Sequence, residues 1–355
     1  MLLHIKTKGS PFERGKQQGE LSKTVAMEWI IPCIQELDET YKANKNIANS
    51  LEDILESYKS SFRRVYSEGY EECCGIASGL NVSENDYFKA IFSWRFLCKF
   101  QNCTSIGFYE QERIPILGKT DDIYKDELGS NILEITHPEE GYKHMHFHFA
   151  GSIWTTAGIN ECGLSIGMTG IPGVVTDEDG YMSLDALHTI LPKCETVGDV
   201  VSHIKSIKLN YYGFSLIVGD EKGGLSLIEK TGNGTVEIMP LVNGFYIHTN
   251  HILNPELAAR NPSQKEPIFS NGIQRYKNAL SLTRTMPKTE EGMMMFLNNR
   301  NPEGAIRQQG ENGLFTDYGV MFKPVEKKFI YFSGYPNYKT NEVDCRRILQ
   351  VNENC

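Results

Sequence analysis

Residues 94–122 read WRFLCKFQNCTSIGFYEQERIPILGKTDD, and the break inside this stretch organises the whole chain. Before it the apolar spacing is helical. From Cys103 onward it alternates as a strand, and Cys103–Tyr109 and Ile114–Lys119 flank a short polar turn as the arms of a hairpin do. A nucleophilic side chain thus begins the first convincing β-strand of the protein.

Working outward towards the N-terminus, the signals are helical. Ser10-Pro11 with Glu13 supplies an N-cap, a first-turn proline and a carboxylate suited to the positive end of the helix dipole. Leu21, Val25, Trp29, Ile34 and Leu37 keep helical spacing, with Pro32 expected to kink the helix. Ser50-Leu51-Glu52-Asp53 and Ser83-Glu84-Asn85-Asp86 each open a further helix, and Gly75–Gly79 reads as a break. Towards the C-terminus, strands are expected at Ile132–Thr136, His144–Phe149, Thr155–Ile159, Leu164–Met168, Phe214–Gly219, Leu225–Lys230, Thr235–Pro240, Phe245–Thr249, Tyr318–Phe322 and Lys328–Ser333. Helices are expected near Ser183–Leu191, Thr196–Lys205, Asn271–Ser281 and Glu290–Asn299. Hairpin-rich strands with helices grouped between them imply an α+β layered protein with mostly antiparallel sheets. Residues 1–102 form a helical segment that packs on a body of residues 103–355, because its apolar faces need burial.

With 355 residues, 40% of them hydrophobic and 23% charged, the composition is that of an ordinary globular protein. A net charge of −9 without a run of Lys or Arg argues against nucleic acid as a partner, since phosphate contacts need concentrated positive charge. Nine scattered cysteines without a CxxC array suit buried thiols in a reducing compartment better than a disulfide framework. No window approaches the ~18 apolar residues of a membrane span, and the N-terminus lacks a signal-peptide core. The expectation is a soluble, cytoplasmic protein with no membrane partner.

Four stretches carry candidate chemistry. Cys103 is a strong nucleophile only as thiolate, and an ordinary thiol needs a nearby base. Cleavage between Asn102 and Cys103 would supply one: the new α-amine titrates near ~7.7–8.0 and would sit on the nucleophilic residue itself. The plain alternative is a buried strand cysteine. HMHFHF places His144, His146 and His148 on one face of a strand, as a metal-dependent hydrolase would. Spacing of roughly 6–7 Å between alternate residues is long for one ion, so a solvent-facing polar side with Met145, Phe147 and Phe149 inward is the preferred reading. GKTDD (118–122) lacks the P-loop pattern; Asp121 and Asp122 at a strand end could orient an amine or simply be solvated. FYIHTNH ends a strand with Asn250, an oxyanion donor or a turn former, beside the candidate bases His248 and His251.

Together these stretches resemble the acyl-coenzyme A:6-aminopenicillanate acyltransferase family, the C45-type N-terminal-nucleophile hydrolases. GSPFERGKQQGE is similar to the family's GxPxExGxxxG segment, and CTSIGFY with ILGKTDDIY to the strand pair after its cleavage site. WTTAGINECGLSIGMTGIP resembles its GxNxxGLAV hairpin, FYIHTNHIL its HTNH motif, and AIRQQG with YGVMFKPVEKKFIYFSGYP its closing arginine and hairpin. The resemblance implies a four-layer αββα sandwich made as an inactive precursor. The Cys103 thiol would attack the Asn102 carbonyl, leaving residues 1–102 and 103–355 as small and large chains. It would then form an acyl-enzyme from a small-molecule amide or acyl thioester. By family position Asp122 would hold the new α-amine, Asn250 would stabilise the oxyanion, Arg307 would fix the local charge network, and Thr104 follows the nucleophile. No cofactor or metal is implied, a homo-oligomer is left open, and the alternative is a non-catalytic binding protein of the same fold. The chain departs from the pattern at Asn102, where relatives commonly carry glycine, and at Asp121, where an aromatic is frequent.

Overall fold

The computed structural model describes residues 2–43, 45–96, 102–111, 113–173, 179–210, 212–232, 234–241, 243–261, 270–310 and 313–349. The chain opens with a strand, β1 (Leu3–Gly9), that the helical reading of residues 1–102 omits. β1 pairs in parallel with β4 (Asn131–Pro138), so the N-terminal segment is part of a sheet and not only a cap on it. Glu13 accepts from Ser10 N at 2.9 Å and from Ser10 Oγ at 3.0 Å, which starts α1 (Pro11–Ala43). This helix runs on through Pro32. α2 (Lys45–Val65), α3 (Ser67–Leu80) and α4 (Glu84–Phe96) follow.

Gly75 and Gly79 lie inside α3, where sequence reading expects a break. Their reason is tertiary. A Cβ on Gly79 would fall 2.2 Å from the Lys16 carbonyl oxygen, and one on Gly15 of α1 would fall 2.0 Å from that of Glu72. The two helices touch backbone to backbone, which a side chain would prevent.

The remaining strands are β2 (Asn102–Tyr109), β3 (Pro115–Tyr124), β5 (His144–Phe149), β6 (Ala157–Asn160), β7 (Ser165–Ile171), β8 (Gly213–Gly219), β9 (Leu225–Thr231), β10 (Gly234–Ile238), β11 (Phe245–His248), β12 (Leu314–Lys323), β13 (Lys328–Ser333) and β14 (Lys339–Asp344). They form an eight-stranded sheet ordered β1-β4-β5-β6-β7-β8-β9-β10 and a six-stranded sheet ordered β11-β2-β3-β12-β13-β14. Between the sheets lies an apolar layer that includes Leu133, Phe147 and Ile217 from the first and Leu117, Val320 and Phe329 from the second. The other face of the larger sheet is covered at one end by α1–α4, through Ile30, Ile76 and Phe88 against Ile132 and Phe149. At its other end it is covered by α5 (Ser183–His188), α6 (Ile190–Lys193) and α7 (Val197–Ser206). α9 (Ser270–Leu282) and α10 (Glu290–Leu297) cover the smaller sheet, with Ala279, Met293 and Phe296 against Ile106, Phe108 and Met321. Short helices α8 (Pro255–Ala259) and α11 (Cys345–Leu349) complete the chain. The order is helix, sheet, sheet, helix: an α+β sandwich of four layers. No helix among the described residues is long and apolar enough to cross a membrane.

Candidate active site

β2 and β3 pair so that Cys103 lies opposite Asp121 and Asn102 opposite Asp122. Side-chain alternation sends Cys103, Lys119 and Asp121 to one face of the sheet, and Asn102, Thr104 and Asp122 to the other. The first face meets the larger sheet: a Cβ on Gly167 of β7 would be 3.3 Å from Lys119 Cβ. The second meets α9.

On the first face the thiol reaches a carboxylate. Cys103 Sγ is 3.5 Å from Asp121 Oδ1, which also accepts from the Lys119 ammonium. Lys119 donates to Tyr318 Oη at 3.2 Å, and that hydroxyl bonds Thr156 at 2.7 Å. The other Asp121 oxygen accepts from Asn131 Nδ2 at 3.1 Å, which also donates to Asp317 at 2.9 Å. The whole chain of groups is buried. Burial pushes the Cys103 thiol up to about 12, with Lys119 pulling it down and Asp121 and Asp122 pushing it further up. In the intact chain the sulfur is therefore protonated at neutral pH.

On the other side the backbone of Cys103 is held at both ends. Its N–H donates to Asn250 Oδ1 at 2.9 Å, just beyond the end of β11. Its carbonyl oxygen accepts from Arg275 Nη1 of α9 at 2.5 Å. The same guanidinium donates to Thr104 Oγ1 (2.7 Å), Asn102 Oδ1 (3.2 Å) and Asn250 Oδ1 (2.6 Å), and lies 4.0 Å from Asp122 Oδ2. Because Asn250 faces two donors, its carboxamide oxygen must point at Cys103, and its nitrogen donates away to Gly170 O at 2.9 Å. Asp122 accepts from Thr316 at 2.6 Å through Oδ1, while its Oδ2 has no hydrogen-bond partner. Burial raises Asp122 to about 7, against the downward pull of Arg275 and Thr316.

His248 and His251 serve the loop that carries Asn250. His248 Nε2 meets Glu229 Oε1 at 2.8 Å, and Glu229 also accepts from the backbone of Leu253 and Asn254. Thr249 donates to Gly272 O at 2.8 Å and contacts His251 Nδ1 at 3.1 Å. These bonds explain both histidines without catalysis.

Residues 109–337 match the family model described as Acyl-coenzyme A:6-aminopenicillanic acid acyl-transferase. The chain belongs to this family. It is accordingly an enzyme of the amide-cleaving or acyl-transferring kind, and its four layers are the sandwich that the resemblance implies. The matched stretch contains Lys119, Asp121, Asp122, Asn250, Arg275 and Arg307 and begins C-terminal to Cys103. Among solved structures, the chain is similar to a mutant of conjugated bile acid hydrolase from Clostridium perfringens. That pair is 13% identical with a TM-score of 0.47, over 69% of this chain and 93% of the other. It is also similar to the Caenorhabditis elegans ortholog of N-acylethanolamine-hydrolyzing acid amidase, at 13% identity and a TM-score of 0.43, over 63% and 93%. No curated protein sequence matches.

Of the residues singled out in the family's pattern, the fold brings Cys103, Asn250 and, through Arg275, Asp122 together. Arg307 stands apart: it donates to Asn298 Oδ1 at 2.6 Å and lies over the Tyr338 ring at 4.7 Å. Sequence reading misses Arg275, for which the helix IQRYKNAL gives no local signal. It also sets Asp121 and Asp122 at a strand end, whereas both lie inside β3. The side-chain alternation of a paired hairpin could have placed Lys119 and Asp121 on the thiol's face.

The histidine side of β5 is not solvent-facing. His144, His146 and His148 are 3%, 1% and 0% exposed, on the helix-covered face of the larger sheet. Nor do the three act as a set. His146 and His148 stack with ring centroids 4.5 Å apart and meet Glu134, while His144 Nδ1 turns to Tyr142 O at 2.9 Å.

Proposed function

We propose that this enzyme is a self-processing cysteine amidohydrolase or acyltransferase in which Cys103 is the nucleophile of both maturation and turnover. One observation supports this reading above the rest. Cys103 has its thiol on a carboxylate, its amide nitrogen on a carboxamide oxygen and its carbonyl on a buried guanidinium.

In maturation, Asp121 accepts the thiol proton and the sulfur attacks the Asn102 carbonyl carbon. The C–N bond to Cys103 breaks as its nitrogen gains a proton, leaving a thioester. Water then splits the thioester into the Asn102 carboxylate and the Cys103 thiol. The freed α-amine, titrating near ~7.7–8.0, becomes the base of turnover. Asn250 Oδ1 accepts one of its protons, and Asp122 Oδ2 is an acceptor left open for another. The geometry of Asn250 favours this orienting role over the oxyanion role, whose donor is engaged by Gly170. Arg275 takes the place in the charge network that family position gives to Arg307, as a positioning residue.

In turnover the sulfur attacks the carbonyl of a small amide or acyl thioester. The leaving amine or thiol takes the proton, and water or an amine resolves the acyl-enzyme. Residues 1–102 and 103–355 are the expected products of maturation. They would stay together through β1 in the larger sheet and through α1–α4 packed on it.

Intact-mass measurement tests the reading. Two fragments beginning at Met1 and Cys103 are expected, and Cys103→Ala is expected to remain one inactive chain. An uncut Cys103→Ala protein that still turns over an amide would sink the mechanism.

A further inference from the structure

A second buried ionisable cluster lies on the opposite face of the larger sheet. In the β4–β5 register Glu134 stands directly opposite His146, with His148 two residues further along the same face. His148 Nδ1 is 2.9 Å from the Phe149 carbonyl, an acceptor only, so this nitrogen carries the proton. His148 Nε2 is 2.9 Å from Glu134 Oε2, yet makes no hydrogen bond of acceptable geometry there. A carboxylate and an imidazole nitrogen thus face each other in a buried site.

A cation between them would engage both. His146 Nε2 is 3.9 Å from the same carboxylate oxygen, and one ligand atom from each residue lies within 4.8 Å of the others. Tetrahedral bonds of ~2.0–2.1 Å separate ligand atoms by about 3.3–3.4 Å, between these two distances. The supporting contacts that orient metal ligands are also present. His146 Nδ1 bonds Thr155 Oγ1 at 3.0 Å; Glu134 Oε1 accepts from Thr7 at 2.5 Å and Oε2 from Gln18 at 3.2 Å. Gln18 leaves its own carbonyl oxygen buried without a partner. A cleft of about 520 Å³, lined by Arg14, His144 and His188 among others, approaches from outside. The His146 ring lies 5.2 Å from His144 and 5.8 Å from His188, directly behind that lining.

We infer that Glu134, His146 and His148 bind a divalent transition-metal ion of the zinc class, at a site separate from the Cys103 centre. Two imidazoles and one carboxylate suit such an ion better than calcium or magnesium. The ligands belong to the body, while Thr7 and Gln18, which hold Glu134, belong to residues 1–102. The ion therefore fastens the N-terminal segment to the body, a role that does not depend on chain cleavage.

The test uses the full chain, stripped with a strong chelator and titrated with Co²⁺ and with Zn²⁺. Wild type is expected to take up one equivalent, to show d–d bands of nitrogen and oxygen ligation with Co²⁺, and to gain several degrees in Tm at saturating Zn²⁺. His148→Gln and Glu134→Gln are each expected to weaken binding more than about tenfold. Cys103→Ala, uncut, should bind as wild type does. Folded wild type that takes up no stoichiometric metal overturns the proposal, as does a folded His148→Gln that binds equally well; His148 is then an imidazolium paired with Glu134. Should both ligand variants fail to fold, X-ray absorption of the Zn²⁺-loaded wild type decides, and a spectrum without imidazole scattering overturns the site.

Discussion

The larger sheet separates two buried polar clusters, and they differ in how their polar groups are paired. Thr155 and Thr156, adjacent in the chain, reach one each: Thr155 bonds His146 beneath the helices, and Thr156 bonds Tyr318 between the sheets. Around Cys103, donors meet acceptors. Arg275 and Lys119 direct their N–H groups at carbonyl, carboxamide and carboxylate oxygens, and Asp122 Oδ2 stays without a hydrogen bond. Around Glu134, a carboxylate oxygen and the His148 Nε2 lie 2.9 Å apart without a hydrogen bond of acceptable geometry. The lesson is that burial alone does not mark a site. On the two readings proposed above, the first cluster would be completed by breaking a peptide bond and the second by adding a cation.

If Arg275 is what settles the first cluster, removing it should have the largest effect. Arg275→Ala strips donors from Cys103 O, Thr104, Asn102 and Asn250. A buried acceptor left unsatisfied costs about 1–3 kcal/mol, and several lose their donor together. Processing, read as the appearance of the Cys103 fragment, is expected to stop, and chemical denaturation should show a destabilisation of that order. An Arg275→Ala protein that matures at the wild-type rate would show that the guanidinium is a bystander.

Asp122 sharpens the same contrast through pH. Folded, it holds its proton up to about 7, whereas the unfolded chain releases it near 3.8. Between those values the folded state binds more protons, so this group's contribution to stability is fully present below 3.8 and is lost as pH rises through about 7. Relative to Asp122→Asn, the wild type should therefore lose stability across that window, by on the order of 4 kcal/mol in all. Urea titrations of both proteins at several pH values measure the difference. Parallel stability curves would place Asp122 in an ordinary ionised state.

A third, smaller effect concerns the helical layer over the metal cluster. Gly79→Ala pushes a methyl against the Lys16 carbonyl, and overpacking of that kind costs about 1–3 kcal/mol. Thermal melts should fall accordingly, and a neutral result would mean that α1 and α3 can separate freely. The position also shows where sequence reading stops. Two glycines four apart look like punctuation, and only the partner helix reveals them as a contact surface. The strand at Cys103 was legible because alternation and a turn are local signals. β14 was not, since KTNEVD is largely exposed and reads as a loop. β1 was not either, because seven residues ahead of a strong N-cap carry too little pattern. Of the candidate site, family order names Cys103, Asp122 and Asn250, which the fold brings together around Arg275. Arg275 itself was not legible, because its burial depends on a helix packing over β2 from far along the chain.

The smallest effect should fall on Arg307, and it tests the comparison most finely, because family position and geometry assign the charge network to different arginines. Arg307 lies over the Tyr338 ring, and Tyr338 donates to Thr316 O at 2.5 Å, whose hydroxyl in turn bonds Asp122. By this route it stands two residues away from Asp122. Replacing it removes a stacking contact worth about 0.5–2 kcal/mol and one hydrogen bond to Asn298. Arg307→Gln is expected to mature completely, with turnover within about tenfold of wild type, the factor that 1.4 kcal/mol represents. Arg307→Lys should fall between the two, keeping the charge but not the flat stack. If Arg307→Gln instead blocks maturation while Arg275→Gln does not, the guanidinium that matters is the one over Tyr338. The bonds from Arg275 to Cys103 and Asn250 would then hold the precursor in shape and take no part in maturation.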